Sequence, residues 1–294
     1  MIKFKKILTL TICFLLIFTV AGCNKNDAIN EEGVVATVND EVITQEELDM
    51  NYEFYKKMNP TVTKDDMLEK LIMDILMVEA AQKSGINVDE HQIEDELENF
   101  KALNNSEADY QKFLKDNGLT EEFLKTEIEK EFYINHYLTI EMDKFNNPSD
   151  EDLQKMFDEY QMKEEVRASH ILVNTEDEAK NVLERINKGD KFEDIAREVS
   201  IDPGSGVAGG DLGYFTRIKM VKPFSDAAFS MEIGEISEPV QSDFGYHIIQ
   251  LTDKKTDDSK TIETERETLT QYYTYFNYNN LLENLKNNAD IEIK

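Results

Sequence analysis

The sequence predicts an α+β protein in which a small mixed unit of order βααβαββ is inserted into a mainly helical domain built from both chain ends. Three observations carry this expectation. Apolar residues recur at helical spacing through residues 45–161 and again after residue 255. Eight of the 12 glycines fall from Gly189 to Gly245 and three of the 5 prolines from Pro203 to Pro239, so loop punctuation is confined to one stretch, residues 164–254. The chain ends on an alternating segment, residues 290–294, that needs a strand to pair with, and residues 34–38 are the expected partner.

The elements follow in order. Val34-Val35-Ala36-Thr37-Val38, the Asn39-Asp40 turn and Val42-Ile43 read as two short strands. Thr44 with Glu47 three residues on is a capping box opening a helix over 45–58. Pro60 ends that region, and Met67, Leu68, Leu71, Ile72, Ile75, Leu76 and Val78 mark a helix over 63–83, stopped at Ser84-Gly85. Helices are expected over 88–103, opened by Asp89, over 109–117, ended by Gly118, and over 121–145, capped by Thr120. A linker helix, 151–161, follows Pro148 and Ser149-Asp150. The mixed unit then supplies a strand over 165–173 and helices around Ala179–Ile186 positions and Phe192–Val199 positions. A short helix from Pro223 and strands over 236–241 and 246–252 complete it. Ile262, Leu269, Tyr272, Tyr273, Phe276, Leu282 and Leu285 form the stripe of a last helix, too apolar on one face to stand alone and expected to fold back on the N-terminal helices.

The N-terminus reads as an export leader. Lys3, Lys5 and Lys6 precede an uncharged apolar run, residues 7–20, too short for a comfortable membrane span. Val20-Ala21-Gly22-Cys23 resembles the bacterial lipoprotein box, which implies a diacylglyceryl group on Cys23 and cleavage just before it. Cys13, the second of 2 cysteines, would leave with the leader, so no disulfide is expected in the mature chain. Two acyl chains anchor stably where one does not. The chain carries 32 Lys+Arg against 61 Asp+Glu. That balance excludes nucleic acid as a partner, and the interspersed acidic residues read as solvated helix faces.

Of 4 histidines, His91 and His136 lie among charges on expected helices and read as surface residues. His170 and His247 sit in apolar strand company at the two ends of the mixed unit. Ala168-Ser169-His170-Ile171-Leu172-Val173, Gly209-Gly210-Asp211-Leu212-Gly213-Tyr214-Phe215, Met220 through Phe224, and Phe244-Gly245-Tyr246-His247-Ile248-Ile249 resemble, in order and spacing, the parvulin (FKBP-like) family of peptidyl-prolyl isomerases. The leader, the helical N-terminal region and the helical tail are similar to the PrsA foldase lipoproteins of Gram-positive bacteria. The N-terminal region is also similar to the chaperone domain of SurA-type foldases.

The resemblance implies a division into a leader (1–22), lipidated Cys23 and tether (23–33), helical chaperone domain with linker helix (34–163), isomerase domain (164–255) and a C-terminal helix and strand packing on the chaperone domain (256–294). It implies that His170 and His247 are the paired histidines of the site and that Asp202 is the acid beside the reacting amide. Leu212, Met220 and Phe224 would form the proline pocket, and Ser242 a supporting hydroxyl. The run from Asp202 to Asp211 is one residue longer than the family pattern, with Pro203-Gly204 after the acid. The loop Asn174-Thr175-Glu176-Asp177-Glu178 is acidic where phospho-specific parvulins are basic, so phosphorylated substrates are not expected. The reaction needs no metal and no cofactor. The implied partners are unfolded or partly folded secreted proteins and the outer face of the cell membrane, reached through Cys23, and a homodimer is one assembly the resemblance allows. Two functions stand side by side: an isomerase that also holds clients, and a non-catalytic chaperone using a silent parvulin fold. A solute-binding lipoprotein fits poorly, because it would need alternating α/β lobes.

Overall fold

A computed structural model describes residues 33–294. The leader, Cys23 and the tether before Gly33 lie outside the described residues. The chain divides into two compact units: one runs to Lys144 and resumes at Phe276–Lys294, and the other is Phe145–Tyr275.

In the first unit, β1 (Val34–Val38) and β2 (Glu41–Thr44) form an antiparallel hairpin. The turn puts Asn39 at φ 53°, a conformation Asn tolerates. The terminal strand Ile291–Ile293 pairs with the other edge of β1, matching Ala36 with Ile293 and Val38 with Ile291, as the alternating tail led us to expect. Thr44 caps α1 (Gln45–Met58) by accepting from Glu47 N at 3.2 Å. Thr63 and Asp66 close a capping box on α2 (Lys64–Lys83), and Asp89 with Gln92 does the same on α3 (Glu90–Ala102). The next helix, α4 (Glu107–Asn117), starts two residues earlier than expected, because Ser106 accepts from Asp109 N. Gly118, at φ 68°, stops it before α5 (Glu121–Asn146). Ala36, Val38 and Ile43 pack with Met67, Leu71, Ile72, Ile75 and Leu76 in one core, which Leu285, Ala289 and Ile291 partly cover. Leu97, Tyr110, Leu114, Phe123, Leu124 and Ile128 form a second.

One expectation fails in this unit. Its acidic residues were expected on solvated faces, yet Glu47, Asp74 and Glu127 are buried, together with Asn51 and Lys130. They come from α1, α2 and α5. Lys130 Nζ donates to Glu127 Oε1 at 3.1 Å, and Asp74 pairs with Lys70. Among the described residues Glu127 Oε2 and Asn51 Oδ1 have no hydrogen-bond partner. Burial pushes the Glu127 carboxyl up to about 9 against the pull of Lys130, and pushes Lys130 down.

The second unit opens with α6 (Asp150–Glu159), boxed by Ser149 and Asp152. It continues through β3 (Glu164–Val173), α7 (Glu176–Asn187), α8 (Phe192–Val199), β4 (Asp211–Phe215), α9 (Lys222–Ser230), β5 (Val240–Ser242) and β6 (Gly245–Thr256). That is the βααβαββ order, and the sheet order is β4-β3-β6-β5, antiparallel throughout. The strand expected over 236–241 is reduced to β5 and one bridge, Ile236 to Gln250. Two features explain this. Pro239 has no N–H for a ladder. Ser237 Oγ accepts from Ile249 N at 2.9 Å, a side chain standing in for the main-chain acceptor. The helix α10 (Ile262–Asn287) and β7 (Ile291–Ile293) end the chain.

Strand alternation sorts the sheet into two faces. Val166, Ala168, Ile249 and Leu251 pack with Phe215, Phe224, Ala228 and Phe229 on the α9 side. Ile171, Val173 and Ile248 pack with Ala179, Val182, Phe192, Ile195 and Ala196 on the α7–α8 side. The period of two puts His170 and His247 on the α9 face, since Leu172 pairs with His247 and His170 with Ile249.

Candidate active site

The pairing register makes His170 and His247 diagonal neighbours on adjacent strands, within reach across the face. Their rings lie nearly parallel, 17° apart with centroids at 5.4 Å, and the two Nδ1 atoms are 3.2 Å apart. Phe224, from α9, meets both rings edge-on, at 5.5 Å from His170 and 5.2 Å from His247. At the far side of His247, Ser242 Oγ lies 2.7 Å from Nε2 and is itself an acceptor for Phe244 N at 3.1 Å. At the far side of His170, Nε2 lies 3.2 Å from Asp202 Oδ2 and 3.0 Å from Ser205 Oγ.

Asp202 reaches this position through a turn whose logic is that of a helix start. Its side chain accepts from Ser205 N at 2.8 Å, Pro203 occupies the first position of the turn, and Gly206 N bonds Asp202 O at 3.1 Å. Ser205 Oγ also donates to Asp202 Oδ2 at 2.5 Å. Ser200 Oγ ties the approach to β3 by accepting from Leu172 N at 3.2 Å. The following loop presses against the same strand: a Cβ on Gly210, at φ +86°, would lie 2.3 Å from His170 O, so glycine is required there.

Burial lowers the pKa of both imidazoles, in His170 against the pull of Asp202, and in His247 to about 4 with His170 adding to the effect. Burial acts to raise the Asp202 carboxyl, but the bonds from Ser205 outweigh it and hold the group down at about 2. At neutral pH the array is therefore one carboxylate and two neutral rings. A carboxylate only accepts, so His170 carries its proton on Nε2. His170 Nδ1 then accepts from His247 Nδ1, and His247 Nε2 accepts from the Ser242 hydroxyl. Each buried polar atom of the chain from Ser242 to Asp202 has a partner.

Leu212 and Met220 are half-buried and pack against the cluster that contains Phe224, which is itself buried. The structure thus brings all seven sequence-predicted residues of the site, His170, Asp202, His247, Leu212, Met220, Phe224 and Ser242, to the α9 side of one sheet. Ser205 was not among them. The Asp-Pro-Gly-Ser run could have revealed it as a capped turn. His91 is exposed and His136 half-buried, both on helices of the first unit. Among the described residues no group of three or more His, Cys, Asp or Glu is arranged to hold a metal ion.

Residues 151–255 match the PPIC-type PPIASE domain family, and residues 2–138 match the SurA-like N-terminal domain family. The foldase protein PrsA of Halalkalibacterium halodurans is 36% identical over 88% of this chain and 77% of its own length. The foldase protein PrsA of Caldanaerobacter subterraneus subsp. tengcongensis is 34% identical over 87% of this chain and 86% of its own length. A crystal structure of the peptidylprolyl isomerase PrsA from Bacillus anthracis is 31% identical, covers 75% of this chain and 95% of that one, and has a TM-score of 0.46.

Proposed function

The chain belongs to the PrsA foldase family, and on that footing we propose that it is an extracytoplasmic foldase that catalyses cis-trans isomerisation of X-Pro bonds in client polypeptides and holds those clients in its helical unit. The observation that carries the catalytic part is the hydrogen-bonded array Asp202–His170–His247–Ser242 set beside a half-open apolar patch.

Rotation about an amide faces a barrier of roughly 18–20 kcal/mol from the double-bond character of C–N. Left alone, X-Pro exchange takes tens to hundreds of seconds. An isomerase has to favour the twisted amide over either planar form. In the planar forms conjugation loads negative charge on the carbonyl oxygen, and in the twisted form that charge is withdrawn. An anionic Asp202 near this oxygen therefore penalises the planar states more than the twisted one. Leu212 and Met220, with Phe224 beneath, grip the prolyl ring so that the acyl side turns. His170 and His247, neutral and mutually bonded, act as a rigid polar floor rather than as proton carriers. No proton leaves or arrives, and no bond is made or broken.

The isomerase domain is assigned to 164–255, the client-holding domain to 34–163, and 256–294 to the helix and strand that complete it. The location outside the cytoplasm is supported by the lysine-rich, apolar leader and the Val-Ala-Gly-Cys run, with Cys23 as the lipid-bearing residue. Among the described residues no helix is long and apolar enough to cross a membrane. The test is the isomerisation rate of proline-containing peptides across a panel of preceding residues. Acceleration supports the enzyme, and its absence over the whole panel leaves a client-binding chaperone on a silent isomerase fold.

A further inference from the structure

Ser205 lies four residues before the Gly-Gly pair, within the Asp202–Asp211 run but outside the four motifs that carried the family resemblance. The residue is 4% exposed. Two of its donors converge on a single oxygen: Ser205 N and Ser205 Oγ reach Asp202 Oδ2 at 2.8 and 2.5 Å. The third contact of that oxygen is His170 Nε2 at 3.2 Å. Among the described residues none donates a hydrogen bond to Asp202 Oδ1, and the Asp202 side chain keeps 24% of its surface exposed. One carboxylate oxygen is thus saturated from inside, and the other is free.

We propose that Ser205 is a positioning residue for isomerisation: it clamps Asp202 Oδ2 inward, holds the carboxylate as an acceptor for His170, and leaves Oδ1 as the oxygen presented to the client amide. This rests on the isomerase reading above.

The physical case has three parts. Two short donors on one acceptor fix the carboxylate plane as a single donor does not, and bonds to a charged acceptor are the strong kind. A carboxylate held ionised cannot share its proton with His170, so the tautomer of both rings follows from this one clamp. Ser205 Oγ, having given its hydrogen to Asp202, meets His170 Nε2 with a lone pair at 3.0 Å, so the ring N–H is held between two acceptors. His170 is the titratable side chain that faces Asp202, and His247 stands behind it on β6.

The test uses the whole chain labelled with 15N-histidine, where 4 rings are few enough to assign. Ring 15N shifts and steady-state isomerisation are read at neutral pH for the native chain, Ser205→Ala and Ser205→Thr. The native chain should show His170 protonated on Nε2 and His247 on Nδ1. Ser205→Ala should turn His170 into a tautomer mixture and lower kcat about tenfold with KM nearly unchanged, the factor expected for one lost bond to a charged group. Ser205→Thr, which keeps the hydroxyl, should restore both. An unaltered tautomer in Ser205→Ala overturns the proposal, whatever the rate does. So does equal loss of rate in the alanine and threonine variants with both tautomers native, because that is a packing effect. A native chain that does not isomerise defeats the functional reading instead, while the ring shifts still decide whether the clamp exists.

Discussion

Two clusters of polar groups, one in each unit, are treated differently. In the Phe145–Tyr275 unit, the run from Ser242 through His247 and His170 to Asp202 and Ser205 is bonded from end to end. In the other unit, Glu127, Lys130, Asp74 and Asn51 are also buried, yet Glu127 Oε2 and Asn51 Oδ1 lack partners among the described residues. The array is built from neutral rings and one carboxylate whose charge is answered by hydrogen bonds. The cluster is built from ionisable groups that burial pushes toward their neutral forms and an amide, and they answer one another imperfectly. A satisfied network fixes one geometry, whereas a partly satisfied one stores the cost of desolvation. The first is what a catalytic floor requires. The second makes stability depend on protonation.

The largest effect that would sharpen this contrast is loss of the cation beside Glu127. Lys130→Met should destabilise the protein by about 2 kcal/mol in chemical denaturation, because the buried Glu127 carboxyl loses its hydrogen-bond partner. The double variant with Glu127→Gln should recover most of it, since apolar or neutral replacement of both partners is often tolerated. Failure of the double variant to recover would mean that the pair is itself stabilising.

The two regions should also respond to pH with opposite sign. Glu127 sits at about 9 in the fold against an ordinary 4.5. Between those values the folded chain keeps a proton on Glu127 that the unfolded one has lost, so the contribution of Glu127 to stability falls as pH rises from about 4.5 to about 9. His247 sits at about 4 against 6.5. Between those values the unfolded chain holds more protons, so the array's contribution rises with pH from about 4 to 6.5. Stability measured against pH in Glu127→Gln and in His247→Gln should each lose only one of these two slopes. Loss of the same slope in both variants would erase the distinction.

How far the sequence led is clearest at these same residues. The caps Thr63, Asp89 and Ser149, the pairing of 290–294 with 34–38, and the two faces of β3 all follow from local chemistry and period. His170 and His247 were legible because two of four ordered motifs held them, and Asp202 and Ser242 followed from the family resemblance those motifs carried. Ser205 was not, because its role depends on the turn that folds it back over Asp202. The strand over 236–241 misled because Ser237 and Pro239 replace main-chain pairing with side-chain bonding. Glu127 and Lys130 could not be told from surface charges, since only the convergence of α1, α2 and α5 buries them.

Smaller effects probe the ends of the array. Ser242→Ala removes the donor to His247 Nε2 and should cost about 1 kcal/mol in stability, with a correspondingly modest fall in isomerisation. A fall as deep as that of a histidine variant would make Ser242 a direct participant.

The central claim is that the paired histidines form the floor on which the X-Pro bond turns. The most direct test is isomerisation of a proline-containing peptide by the native chain and by His247→Ala, with the melting temperature of each recorded. The account predicts clear acceleration by the native chain and its collapse in the variant while the fold persists. An unchanged rate in a folded His247→Ala chain would contradict it.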